Sequence, residues 1–131
     1  MYQTRSPKVQ HRVLVVDDNT SLRELVGQIL EAAGFVVTQV GSPAEALEAI
    51  HDQEFDLLLS DIVMPGGDGV QLARTIKARK PSIRVMLMTG FHDDLLVLDQ
   101  GWTLLEKPFL PKQLTATVRK TLAAPQKSPS E

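Results

Sequence analysis

The sequence predicts an α/β domain in which a parallel sheet is wound with helices on both faces. Three observations carry that reading. Five short apolar runs alternate with segments of helical period. The runs are nearly continuously apolar, as strands buried on both faces are. Four of them end on polar residues that would share one sheet edge, where open α/β sheets place their ligands. Val13-Leu14-Val15-Val16 runs into Asp17-Asp18, Leu57-Leu58-Leu59-Ser60 into Asp61, Val85-Met86-Leu87-Met88 into Thr89, and Leu104-Leu105-Glu106 into Lys107-Pro108.

Each element has a local cause. After the first strand, Leu22, Leu25, Val26, Ile29, Leu30 and Ala33 form one stripe of an amphipathic helix, which Gly34 stops. Phe35 to Val40 is the second strand. Ser42-Pro43 opens the next helix, because Ser caps and Pro fits the first turn without losing a bond. Ala46, Leu47 and Ile50 give it an inner face. The third strand ends at Asp61, and Pro65-Gly66-Gly67-Asp68-Gly69 reads as a flexible loop before a helix with Val70, Ala73 and Ile76 inward. Pro81 ends that helix and leads to the fourth strand. Beyond Thr89-Gly90 there is room only for a short fourth helix, roughly His92 to Leu98. The fifth strand follows, and Pro111 opens a last helix with Leu114, Val118 and Leu122 on one side. The sum is five βα units, which wind right-handed.

The chain has 131 residues, enough for one core, and is expected to form one domain over residues 12–123. Residues 1–11 and 124–131 are polar or proline-rich and read as tails. A hydrophobic share of 43% and a charged share of 23% are ordinary for a globular protein. The net charge of -2 gives no general reason to bind nucleic acid, whose phosphate backbone calls for a basic face. The absence of cysteine excludes disulfides, thiolate catalysis and Cys-ligated metals. No apolar stretch approaches the ~18 residues of a membrane span, and residues 1–12 have no hydrophobic centre like that of a signal peptide. The expected location is the cytoplasm, with no direct membrane contact.

The edge residues suit magnesium-dependent phosphoryl transfer. An aspartate can attack phosphorus and form an acyl phosphate, and Asp61 is the candidate because it stands alone where a strand meets a glycine-rich loop. Adjacent carboxylates resist ionisation unless a cation compensates, so Asp17 and Asp18 are a natural cradle for Mg²⁺. Thr89 and Lys107 would stabilise charge on the phosphoryl oxygens. Each residue also has a plainer reading. Asp17-Asp18-Asn19-Thr20 would serve as a helix cap, Asp61 as a solvated loop carboxylate, Thr89 as a strand-end hydroxyl and Lys107 as a surface lysine. Only their convergence favours chemistry. His11, His51 and His92 lack metal-ligand spacing and read as surface residues, and Met64, Met86 and Met88 read as packing.

The motifs Val15-Val16-Asp17-Asp18-Asn19, Ser60-Asp61-Ile62-Val63-Met64-Pro65-Gly66, Met88-Thr89-Gly90 and Glu106-Lys107-Pro108-Phe109 together resemble the receiver domain of bacterial two-component response regulators. The resemblance runs from Arg12 to Ala123 with the motifs in order, and the stretch from Thr89 to Phe109 is similar to receivers attached to hybrid sensor kinases. It implies a flavodoxin-like doubly wound (βα)5 fold with a five-stranded parallel sheet in the order 2-1-3-4-5. It also implies a signalling switch and not a conventional enzyme: Asp61 accepts a phosphoryl group from a histidine kinase or histidine phosphotransfer protein, the domain catalysing its own phosphorylation and dephosphorylation. By the same resemblance, Asp18, Asp61 and the Val63 carbonyl bind Mg²⁺ directly and Asp17 holds it largely through water. Thr89 and Lys107 contact the phosphoryl group, and Lys107-Pro108 is a cis peptide. The partners so implied are the phosphodonor, a downstream protein target and, on phosphorylation, a second copy of the chain.

Two departures from that family stand out. Leu104 occupies the position, three before the lysine, where Tyr or Phe usually couples to the hydroxyl, which argues against a rotating aromatic. The fourth helix is short, so the signal is expected in the loop after Thr89, through an order-disorder or hinge change. Two other functions compete. A haloacid-dehalogenase-like phosphohydrolase would use the same residue types, but it needs a second acid two residues after its nucleophile. Val63 or Asn19 stands there. A phosphorylation-independent docking module is kept open by Leu104.

Overall fold

Alternate residues of each central strand face opposite sides of one sheet, and this separates the core into two layers. The computed structural model describes residues 10–65, 67–90 and 101–124. Its elements are β1 (Arg12–Val16), α1 (Thr20–Ala32), β2 (Val36–Val40), α2 (Pro43–Asp52), β3 (Leu57–Asp61), β4 (Val63–Met64), β5 (Gly67–Asp68), α3 (Gly69–Arg79), β6 (Arg84–Thr89), β7 (Thr103–Glu106) and α4 (Pro111–Ala123). The main sheet is parallel throughout, in the order β2-β1-β3-β6-β7. Counting only its own five strands, that is the expected flavodoxin-like order. Leu14, Val16, Leu58 and Leu87 pack on one face with Ile50 of α2 and Ile76 of α3. Val13, Val15, Leu59 and Met88 pack on the other with Val26 and Leu30 of α1 and Leu114 and Val118 of α4.

The helix ends follow their local signals. Asn19 Oδ1 accepts from the Leu22 amide at 3.0 Å and starts α1. Ser42 Oγ accepts from the Glu45 amide at 3.2 Å, with Pro43 in the first turn of α2. Gln113 Oε1 accepts from the Leu110 amide at 2.6 Å ahead of Pro111. Gly34, at φ 100°, ends α1 in a conformation that L side chains rarely adopt. Leu25, expected on the inner stripe of α1, is instead 50% exposed: it lies at the edge of a stripe whose centre is Val26 and Leu30.

Part of the segment expected as a flexible loop after Asp61 forms a strand, β5. Val63 pairs with Asp68 and Met64 with Gly67 in a small antiparallel hairpin. Asp68 Oδ1 then accepts from the Gln71 amide at 2.7 Å and caps α3. At the chain's ends, the His11 carbonyl accepts from the Val36 amide at 3.0 Å and the Ala124 carbonyl from Arg84 Nη2 at 2.8 Å. Both residues assigned to tails are therefore tied to the sheet. Residues 1–9 and 125–131 of the expected tails, and the short helix expected at 92–98, lie outside the described residues. Among those described, no helix is long and apolar enough to cross a membrane.

Candidate functional site

β1, β3, β6 and β7 all end at one edge of the sheet, and the register decides which residues meet there. Asp61 pairs with Met88, so Thr89 ends β6 one residue beyond it. Thr89 pairs with Glu106, and the Lys107 amide donates to the Thr89 carbonyl at 2.7 Å, which brings Lys107 to the same edge. The Lys107-Pro108 peptide is cis. Lys107 Nζ lies 3.1 Å from Asp61 Oδ2.

Asp17 and Asp18 follow β1, the neighbour of β3. One carboxylate oxygen from each of Asp17, Asp18 and Asp61 lies within 4.8 Å of the other two. Asp17 is fully buried, Asp61 keeps 9% of its surface and Asp18 is exposed. The cluster therefore opens to solvent on its Asp18 side. Asn19 provides the cap of α1, so neither aspartate is needed for it, and the capping explanation of the acidic pair does not hold.

Asp17 is the most constrained member. Its Oδ1 accepts from the Asn19 amide at 2.9 Å, whereas its buried Oδ2 has no hydrogen-bond partner. Burial raises the pKa of this carboxyl, and the negative charges of Asp61 and Asp18 raise it further. The Asn19 amide and the Lys107 charge oppose the rise. A buried carboxylate oxygen without a donor costs free energy unless a cation serves it. This donor set is all oxygen and anionic, which suits a hard divalent ion such as Mg²⁺.

Val63, two residues past Asp61, lies in β4 with 62% of its surface exposed. The structure thus places Asp17, Asp18, Asp61 and Lys107 in direct proximity and Thr89 at the same sheet edge, while Val63 lies two residues past Asp61 in the β4–β5 hairpin. Leu104 is partly buried and packs with Trp102 against the α2–α3 side of the core. Phe91 and His92 lie outside the described residues, His51 is exposed beside Asp52, and His11 stacks on Phe35 at 6.5 Å.

One residue at the site, Gly69, does more than its sequence expectation as part of a flexible loop. A Cβ on Gly69 would lie 2.2 Å from the Asp61 carbonyl oxygen and 3.0 Å from Ile62 Cα. The Gly69 amide donates to the Ile62 carbonyl at 2.7 Å. Gly69 therefore lets the start of α3 abut the backbone that carries Asp61. The only sequence signal for it is a glycine immediately after the capping Asp68.

Comparison with known proteins agrees with this geometry. The family described as response regulator receiver domain matches residues 13–119. The response regulator receiver protein CpdR of Brucella abortus is 36% identical over 117 residues, covering 86% of this chain and 98% of CpdR. The DNA-binding response regulator MtrA of Mycolicibacterium smegmatis is 34% identical over 126 residues, covering 94% of this chain. The chain spans about half of that relative, 55% of its length. The crystal structure of a CheY-like response regulator receiver domain protein from Methanospirillum hungatei superimposes with a TM-score of 0.81 at 28% identity, covering 87% of this chain and 94% of that one. With the sheet order, the acidic cluster and the lysine all in accord, this chain belongs to the response regulator receiver domain family.

Proposed function

We propose that the domain over residues 12–123 is a phosphorylation-dependent switch whose acceptor is Asp61. One observation carries the reading: Lys107 Nζ stands 3.1 Å from Asp61 Oδ2, in a cluster whose three carboxylates leave a buried oxygen of Asp17 without a donor. Asp17, Asp18, Asp61 and the Val63 carbonyl would hold Mg²⁺. When bound, the ion supplies positive charge against the phosphoryl oxygens.

An Asp61 carboxylate oxygen attacks the phosphorus of a phosphohistidine on a histidine kinase or phosphotransfer protein. The P–O bond forms as the P–N bond breaks, and the departing imidazole keeps the electron pair and takes up a proton. Lys107 neutralises charge on the transferred group, and the Thr89 hydroxyl donates to it. Water later cleaves the acyl phosphate and restores the carboxylate. The output is altered affinity for a downstream protein or a second copy of the chain. With a net charge of -2, nucleic acid is not a proposed partner of the domain. The proposed setting is the cytoplasm.

The test is a mass spectrum of the intact chain after incubation with acetyl phosphate. A phosphoryl adduct that needs Mg²⁺ and disappears in Asp61→Asn is the expected result. Absence of any adduct with the metal supplied would leave the docking-module reading, and turnover of many phosphomonoesters would favour a hydrolase.

A further inference from the structure

We propose that Arg23 is a positioning residue for the acidic cluster: it grips the main chain of Asp17 and so fixes the turn that carries both aspartates, while leaving their carboxylates to a divalent cation. The inference rests on the reading above that the cluster takes such a cation. Arg23 lies in α1, and its Nη1 donates to the Asp17 carbonyl oxygen at 2.8 Å. Its own amide donates to the Asn19 carbonyl at 2.9 Å. Side chain and backbone of one residue thus hold both ends of the turn between β1 and α1.

The turn after β2 provides the other half of the bracket. A Cβ on Gly41 would lie 2.9 Å from Arg23 Nη1, so the guanidinium occupies the space that a side chain at 41 would fill. The Gly41 amide donates to Glu45 Oε1 at 2.7 Å, and the Asp17 amide donates to the Val40 carbonyl at 3.2 Å. The two turns are therefore joined beside the cluster. A charge-assisted bond to a carbonyl oxygen orients the turn strongly. It also differs in effect from an ion pair, because a guanidinium on the Asp17 carboxylate would compete with the metal for it. Asp17 Oδ2, fully buried and without a partner, is the oxygen so preserved. Groups that orient metal ligands from behind are commonly worth about 10–100-fold in metal affinity.

The test is calorimetric titration of the full chain with MgCl₂, together with thermal melting in EDTA. Arg23→Ala should raise the Mg²⁺ Kd by about tenfold. Arg23→Lys, which keeps a charged donor, should restore it to within roughly threefold of the parent. Gly41→Ala should weaken Mg²⁺ by pushing the guanidinium aside. Gly41 has no positive φ, so alanine meets only that spatial conflict, and this variant decides the matter if Arg23→Ala does not fold. The proposal is overturned if Arg23→Ala and Gly41→Ala both bind Mg²⁺ within about twofold of the parent, or if Arg23→Lys is as weak as Arg23→Ala. A loss of affinity matched by an equal loss of metal-free stability also overturns it, in favour of a purely structural role. A parent chain that binds no Mg²⁺ instead refutes the metal site itself, an outcome distinct from the others.

Discussion

Gly69 and Asp61 meet backbone to backbone: the position of a Cβ on Gly69 lies 2.2 Å from the Asp61 carbonyl oxygen, inside any permitted contact. The start of α3 and the end of β3 are thereby held at a separation that only glycine allows, with the Gly69 amide bonded to the Ile62 carbonyl at 2.7 Å. A side chain there meets the Asp61 carbonyl and Ile62 Cα, both main chain, and cannot swing clear. Gly69→Ala should destabilise the domain by about 1–3 kcal/mol, the range for overpacking. Because the strain falls on the proposed acceptor residue, phosphorylation by acetyl phosphate should slow as well. Urea unfolding and the rate of adduct formation measure the two effects, and unchanged values for both would show that α3 shifts freely.

Most of the sheet was legible in the sequence because buried parallel strands must be continuously apolar, and Val13 to Val16 and Leu57 to Leu59 are so. The candidate site was legible for a related reason: its polar residues sit where those runs end. The β4–β5 hairpin was not, since strands of two residues carry no alternation to read. Gly69 reads from sequence as part of a flexible loop because its requirement comes from the Asp61 backbone and not from its own neighbours. Arg23 was invisible as part of the site. Its partner is a carbonyl oxygen, which every residue has, so the bond leaves no pattern of residue types.

Asp17 should make metal-free stability depend on pH with a definite sign. Burial, then repulsion from Asp61 and Asp18, holds its folded pKa above 3.8. The native state therefore binds the proton more readily than the unfolded chain, and this group's contribution to stability falls as pH rises from about the unfolded value through the raised folded one. At neutral pH the buried charge is a net cost. Asp17→Asn keeps an acceptor for the Asn19 amide and removes that charge, so without metal it should raise Tm at pH 7 by about 3–6 °C. The same variant should lose most of the stabilisation that the parent gains from Mg²⁺. Melting curves across acidic to neutral pH, with EDTA or MgCl₂, test both statements; a lower Tm for the variant in EDTA would contradict the first.

Leu104 is a partly buried residue packed against the core layer. It packs with Trp102 against the cluster that contains Leu87, Val85 and Ile83. Leu104→Ala should cost about 2–3 kcal/mol through the cavity it leaves, toward the lower end because the residue is only partly buried. If the signal does not pass through this position, phosphorylated and unphosphorylated forms of Leu104→Ala should still differ in partner affinity by the parent's ratio. A pull-down of each form measures that ratio, and its collapse to unity would place Leu104 on the signalling route.

Val63 stands two residues beyond Asp61, the proposed acceptor, and offers an apolar, 62% exposed surface. Hydrolysis of an acyl phosphate needs a water in line with the P–O bond, and an apolar side chain on that approach gives the water nothing to bond to. Val63→Asn supplies a donor and an acceptor in nearly the same volume, and should speed loss of phosphate from Asp61 by about tenfold, equivalent to roughly 1.4 kcal/mol of barrier. So exposed a position should change folding stability by no more than about 0.5 kcal/mol. The decay of the phosphoryl adduct, followed by mass spectrometry after removal of the donor, gives the rate directly. An unchanged rate in a stably folded Val63→Asn would mean that the water arrives by a path this side chain does not border.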